Sequence, residues 1–240
     1  MKACLPPSLL ARSVLMMCLL AGAGCTTSQT EKPALQTKPE KTATYPSPEP
    51  VSLAYAPITD SPEYMYREIV DNGFRIVARD TRKIKPSHVR QVVDYATTEK
   101  PGTIIVDQKA HFLYFILPDD RAVRYAIGVG SAAKGFQEGD AIIDRKQTWP
   151  RWIPTPDMVR RSPEHYEKYR DGVDGGPTNP LGARALYMQK NGQDTYYRVH
   201  GTNDPSSIGK SVSAGCIRLL NQDILDLYER VKIGARIVVL

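Results

Sequence analysis

Cys216 lies in the string Ser213-Ala214-Gly215-Cys216-Ile217-Arg218, and His200-Gly201 stands sixteen positions upstream. A thiol and an imidazole brought together are the working parts of nucleophilic acyl transfer. The thiolate attacks a carbonyl, the imidazole carries the proton, and backbone N–H groups hold the oxyanion. The other three cysteines, Cys4, Cys18 and Cys25, fall inside or at the end of an N-terminal stretch that reads as an export signal. After processing, Cys216 is then left without an internal disulfide partner, which makes it a candidate reactive thiol. On composition alone a lone cysteine also reads as a small buried hydrophobe, and that reading stays open. Among the four histidines, His111 falls in a strand pattern and His88 and His165 in polar stretches. His200 closes a strand pattern just before Gly201. Gly215, directly before the thiol, suits a turn that aims two successive N–H groups at one point.

The elements that must position these residues are mostly strands. Short β-branched and aromatic runs at 103–106 and 112–117 are split by Asp107-Gln108-Lys109-Ala110, and Pro118-Asp119-Asp120 turns the chain into a third run at 122–129. Runs at 184–190 and 195–200 flank Asn191-Gly192, a strong hairpin signal. A last strand is expected at 236–240. Ile224, Leu227, Tyr228 and Val231 recur at helical spacing and predict a helix over 222–231, with Asn221 as its cap. A shorter helix is expected to begin at Ser162-Pro163. Residues 87–95 read as a short helix, and 68–70 and 74–77 as either strand or helix. The sum is a mainly β fold, a sandwich or open barrel with small helical insertions and a helix after the cysteine. Between the β sections, Trp149-Pro150-Arg151-Trp152-Ile153-Pro154-Thr155-Pro156 is too proline-rich for a central strand or helix. Its tryptophans line a substrate groove or cover a core edge.

The N-terminus carries Lys2 and Arg12, a short apolar run at 14–20 and then small residues up to Cys25. This is the pattern of a signal peptide over 1–24. Ala23-Gly24-Cys25 resembles the end of a lipoprotein box, which makes Cys25 the expected lipidation site, although Gly22 stands where such boxes usually carry Leu. A plain secretory cut is the alternative. Residues 25–60 are rich in Pro, Thr, Lys, Ser and Glu and read as a disordered tether, with a reach of about 30 Å as a coil and up to about 100 Å when stiffened by proline. Residues 61–100 form an N-terminal extension of unassigned role, and 101–240 the catalytic domain. Removing Lys2 and Arg12 from the 32 basic residues leaves a modest excess over the 26 acidic ones. That balance is compatible with an anionic envelope polymer and gives no basic run of the kind that binds nucleic acid.

His200-Gly201-Thr202-Asn203 followed by Ser213-Ala214-Gly215-Cys216-Ile217-Arg218 resembles the active-site signature of the YkuD-type L,D-transpeptidases, in their Gram-negative envelope branch. The stretches at 149–158 and 175–187 resemble segments of the same family, so the likeness covers about 101–240. Ala214 departs from it, since many members carry a second histidine there. The resemblance implies a periplasmic peptidoglycan enzyme with catalytic Cys216 and His200, oriented by the carbonyl of Gly201. It further implies oxyanion and substrate contacts from Gly215, Ser213, Arg218, Tyr187 and Trp152. Arg218 either holds a stem carboxylate or makes a structural pair. The implied donor is a tetrapeptide stem cut after its third residue, and the implied product a 3→3 cross-link. Attachment of an envelope protein through its lysine and hydrolysis of the stem share the thioester; a non-catalytic peptidoglycan-binding lipoprotein is the third alternative. No cofactor is expected, and no metal set at usable spacing. The partners are peptidoglycan stems, an envelope protein as possible acceptor, and a membrane, expected to be the outer one, through acylated Cys25.

Overall fold

The structure, a computed structural model, describes residues 53–130, 139–213 and 215–240. The expectations for 1–24, for Cys25 and for most of the tether lie outside these residues, as does Ala214. Alternating and fully apolar runs become strands, and the strands assemble into one large mixed sheet. The first elements are a turn of helix, α1 (Pro62–Met65), capped by Ser61, and a small hairpin of β1 (Ile69–Asp71) and β2 (Phe74–Ile76). Then come β3 (Gln91–Asp94), β4 (Ile104–Asp107), β5 (Phe112–Ile116), β6 (Arg121–Ala126), β7 (Val129–Gly130) and the long β8 (Gly139–Thr148). An insertion carries α2 (Pro156–Arg161) and α3 (Pro163–Tyr166), each with proline in its first turn. The chain finishes with β9 (Arg184–Lys190), β10 (Gln193–His200), β11 (Ser211–Ser213), β12 (Ile217–Arg218), α4 (Asn221–Arg230) and β13 (Arg236–Val239).

Nine strands pair in the order β12-β10-β9-β8-β13-β4-β5-β6-β3, and β11 pairs with β7 in a separate two-stranded ladder. The sheet rolls far enough for Arg218 of β12 to exchange two backbone hydrogen bonds with Gly128, just past β6 (2.9 and 2.8 Å). That contact makes the expected open barrel. The core inside it is built from Ile104, Val106, Leu113, Phe115, Val123, Leu186, Met188 and Val199, with Ile224 and Leu227 of α4 closing it. Each of those two helix side chains is fully buried, a contribution of about 2 kcal/mol apiece.

The meander, the Asn191-Gly192 hairpin, the last strand and α4 appear where the sequence predicts them. Asn191 and Gly192 both take positive φ (53° and 78°), as a two-residue hairpin turn that follows the sheet's twist demands. Two expectations are corrected. Residues 87–95 are not a helix: a single 3₁₀ turn (Pro86–His88) leads into β3, because Val92 and Val93 gain more by pairing with β6 than a short isolated helix would. Asn221 does not cap α4. Leu220 occupies the cap position, and the Asn221 side chain points elsewhere.

The stretch before residue 101 is fastened to the sheet by polar contacts. Asp71 forms a two-pronged ion pair with Arg184 at the start of β9 (2.7 and 2.9 Å) and accepts from the indole of Trp149 (2.7 Å). Fully buried Tyr66 donates to Asp223 of α4 (3.0 Å) and accepts from the Arg90 N–H (2.8 Å). Burial pushes the Asp223 carboxyl up to about 6 against the pull of Arg90.

Candidate active site

The strand registers place the chemistry. Arg145, Tyr187 and Arg198 stand opposite one another on β8, β9 and β10. Two residues on, Gln147, Ala185, His200 and Arg218 form a second row across β8, β9, β10 and β12. Between the rows, Leu186, Val199 and Ile217 turn the other way into the core. Strand parity therefore sends both rows to the same face. The Val199–Ile217 pairing, extended back by one residue, sets Cys216 beside Arg198 and on the face of His200.

His200 ends β10 and is 3% exposed. Its Nδ1 lies 2.5 Å from the carbonyl oxygen of Gly201. A carbonyl only accepts, so Nδ1 carries the proton and Nε2 keeps a free lone pair. Burial, reinforced by the positive charge of Arg218, lowers the imidazole to about 3, while the backbones of Gly201 and Leu181 pull it back up. Cys216 is in no disulfide and is partly exposed. Burial pushes it up as well, opposed by the Arg198 backbone N–H and then by the charges of Arg198 and Arg218. Both directions favour a neutral thiol and a neutral imidazole in the resting site.

The turn carrying the thiol is held by a glycine contact. Gly215 takes φ 137°, and the backbone of Gly130 in β7 presses on it so closely that a Cβ on Gly130 would fall 2.6 Å from the Gly215 Cα. Ser213 enters this turn by pairing with Gly130. Arg218 stands opposite His200, and its Nε is buried without a hydrogen-bond partner among the described residues.

Tyr187 is buried between two guanidinium groups, Arg145 at 3.5 Å and Arg198 at 4.4 Å from its ring centre, and its hydroxyl donates to Gln147. Arg198 is further held by both oxygens of Asp194 (2.7 and 2.8 Å). Tyr187 thus stands in the row of Cys216 with Arg198 between them. Trp152 lies in the insertion against Tyr166 and Tyr169 (ring centres 6.2 and 5.8 Å) and pairs by backbone with Val173. Trp149 covers a core edge with Ile76 and Ala183 and packs tilted against Phe74, with ring centres 4.7 Å apart and planes 51° apart.

Several residues of this arrangement were not singled out from the sequence. Asn179, fully buried, accepts from the Leu181 N–H (2.8 Å) and donates to the carbonyls of Pro150, Val173 and Asp174, so it stitches the insertion to the backbone beside His200. Gly130 reaches the turn before Cys216 from far away in sequence, Arg198 stands two residues before His200, and Asn221, expected only as a helix cap, turns instead to the backbone of Ala183 and Thr202. For Gly130 the available signal was a glycine at the end of an apolar strand pattern. Among the described residues no three or more His, Cys, Asp or Glu side chains gather as a metal site.

Fold and site together define a curled β domain that presents a thiol on the same sheet face as a backbone-anchored imidazole. A family model, the L,D-transpeptidase catalytic domain YkuD, matches residues 101–239, and the chain belongs to that family. It is 36% identical over 139 residues to the probable L,D-transpeptidase ErfK/SrfK of Escherichia coli K12, covering 57% of this chain and 43% of that one. It is 48% identical over 120 residues to the putative L,D-transpeptidase YkuD of Bacillus licheniformis, covering 50% and 67%. Among solved structures, a Brucella melitensis chain described as a probable carnitine operon oxidoreductase is 48% identical, with 67% of this chain and 99% of that chain covered at a TM-score of 0.45. The chain spans less than half the length of the Escherichia coli relative.

Proposed function

We propose that the protein is a peptidoglycan L,D-transpeptidase that forms 3→3 cross-links through a thioester on Cys216. The observation that carries this reading is the Gly201 carbonyl on Nδ1 of His200, which leaves Nε2 unprotonated on a residue that shares its sheet face with Cys216. His200 takes the thiol proton as sulfur attacks the carbonyl of the third stem residue, typically diaminopimelate. The N–H groups of Gly215 and Cys216 hold the oxyanion, and His200 returns the proton to the departing D-alanine amine. An acceptor amine then attacks the thioester, and the thiol is regenerated.

The neutral resting pair implies that the thiolate forms when the donor binds, since burial opposes separated charges in the empty site. Arg218, whose positive charge stands beside His200 on the neighbouring strand, would hold a carboxylate of the stem through its guanidinium fork. Tyr187 contributes by backing Arg198, and Trp152 by shaping the insertion. Delivery to the periplasm, with Cys25 lipidated and the domain tethered to the outer membrane, completes the proposal.

The test is incubation of the purified protein with disaccharide-tetrapeptide and mass analysis of the products. A dimer lacking one D-alanine supports cross-linking. Tripeptide alone moves the function to stem hydrolysis or to an envelope-protein acceptor, to be added next. No product from folded, reduced protein restores the non-catalytic reading.

A further inference from the structure

We infer that Asn221 is a positioning residue for the catalytic imidazole, acting through the Gly201–Thr202 peptide; this rests on His200 being the base. The side chain sits in the first turn of α4 yet leaves the helix end uncapped. Its Oδ1 instead accepts from the Thr202 N–H (3.3 Å) and the Ala183 N–H (3.0 Å), which uses both lone pairs. The Thr202 N–H and the Gly201 carbonyl belong to one planar peptide unit, so holding one end fixes the direction of the other. That other end is the oxygen on Nδ1 of His200.

The surroundings fit this role and leave little room for another. A Cβ on either Gly182 or Gly201 would lie 2.2 Å from the Asn221 Oδ1, so both positions are kept bare for the amide. The helix that carries the amide is itself fixed, by Asp223 to Tyr66 and Arg90 and by the burial of Ile224 and Leu227. The His200 carbonyl is taken by the Leu219 N–H and the Gly201 N–H by the Arg184 carbonyl (2.8 and 3.0 Å). The peptide after Gly201 therefore has Asn221 as its anchor. Without that anchor the plane is free to turn, the carbonyl leaves Nδ1, and the proton can move to Nε2. An imidazole protonated at Nε2 and bare at a buried Nδ1 has no lone pair to offer the thiol.

Two readouts on the full chain test this. Acylation of Cys216 by a carbapenem is followed by loss of the β-lactam absorbance and by mass, from acid to alkaline pH. Histidine ¹⁵N shifts, with His200 assigned by subtracting a His200→Gln spectrum, report the tautomer. Asn221→Ala is expected to slow acylation on the order of 100-fold with no change in half-saturating carbapenem. The deficit narrows at alkaline pH, where the thiol ionises unaided, and the Nδ1–H signature is lost. Asn221→Asp keeps an acceptor in place and restores both. A folded Asn221→Ala protein with the wild-type rate, pH profile and tautomer overturns the inference. If that variant does not fold, an unchanged Nδ1–H tautomer in Asn221→Ser overturns it equally. Wild-type protein that takes no adduct would instead remove the thioester reading, while the tautomer arm still decides the role of Asn221.

Discussion

Gly130 and Gly215 meet backbone to backbone, with room for no side chain: a Cβ on Gly130 would lie 2.6 Å from the Cα and 2.8 Å from the N of Gly215. The residue before Cys216 is thereby seated by a strand far from it in sequence. Gly130→Ala is expected to push the turn off its seat, lowering stability by about 1–3 kcal/mol. Carbapenem acylation should fall by on the order of 100-fold through misplacement of the thiol. Acylation kinetics beside urea unfolding check both halves. Unimpaired acylation would mean the glycine contact does not aim the thiol.

Cys216 is partly exposed and belongs to the site rather than to the buried core. Cys216→Ala should therefore change folding stability by no more than about 0.5–1 kcal/mol while abolishing the carbapenem adduct. A larger loss in the melting temperature would restore the packed-cysteine reading.

His200 makes stability depend on pH. Its folded-state value, lowered to about 3, lies below the unfolded value of 6.5. The unfolded chain thus binds the proton first. The contribution is intact above the unfolded value and is lost as pH falls between the two, at a limiting slope of about 1.4 kcal/mol per pH unit. Asp223, pushed up to about 6, acts with the opposite sign in an overlapping window, favouring the folded state at acid pH and losing that benefit as pH rises. The His200 share is read as the difference between wild type and His200→Gln in urea titrations at neutral and mildly acid pH. Parallel curves would show that His200 titrates normally.

Asp71 is the peg that joins the β1–β2 hairpin to β9 and to Trp149. Asp71→Ala strands Arg184, whose side chain is only 8% exposed, and should cost about 3 kcal/mol. Hydrogen bonds from Arg184 also hold the Asp71 carboxyl below its usual range, so this contribution fades as the solution is acidified. Faster proteolysis within 66–80 in the variant is the accompanying signature. Protection equal to wild type would show that the hairpin is held by its apolar contacts alone.

The likeness in the strings around His200 and Cys216 made the family legible, because such a signature depends on residue type and short spacing. The meander, the Asn191-Gly192 hairpin and α4 were legible for a similar reason: alternation, turn chemistry and a helical apolar face are local signals. What stood opposite what was not local. Residues 87–95 carry a pattern too short to choose helix or strand, and their pairing with β6 chose for them. Asn221 has the type and position of a cap, yet two backbone N–H groups brought in from 183 and 202 claim its oxygen.

By itself, then, the sequence determined the family to which the chain belongs and which short segments are strands or helix, since these follow from the residue types of a short signature and from near-neighbour sterics. Only the tertiary structure decided the rows that join Arg145, Tyr187 and Arg198, the seat of Gly215 on Gly130, and the burial that keeps His200 neutral. Those depend on strand register and on a rolled sheet, and both are set by the sum of core packing across the domain rather than by any one stretch of chain.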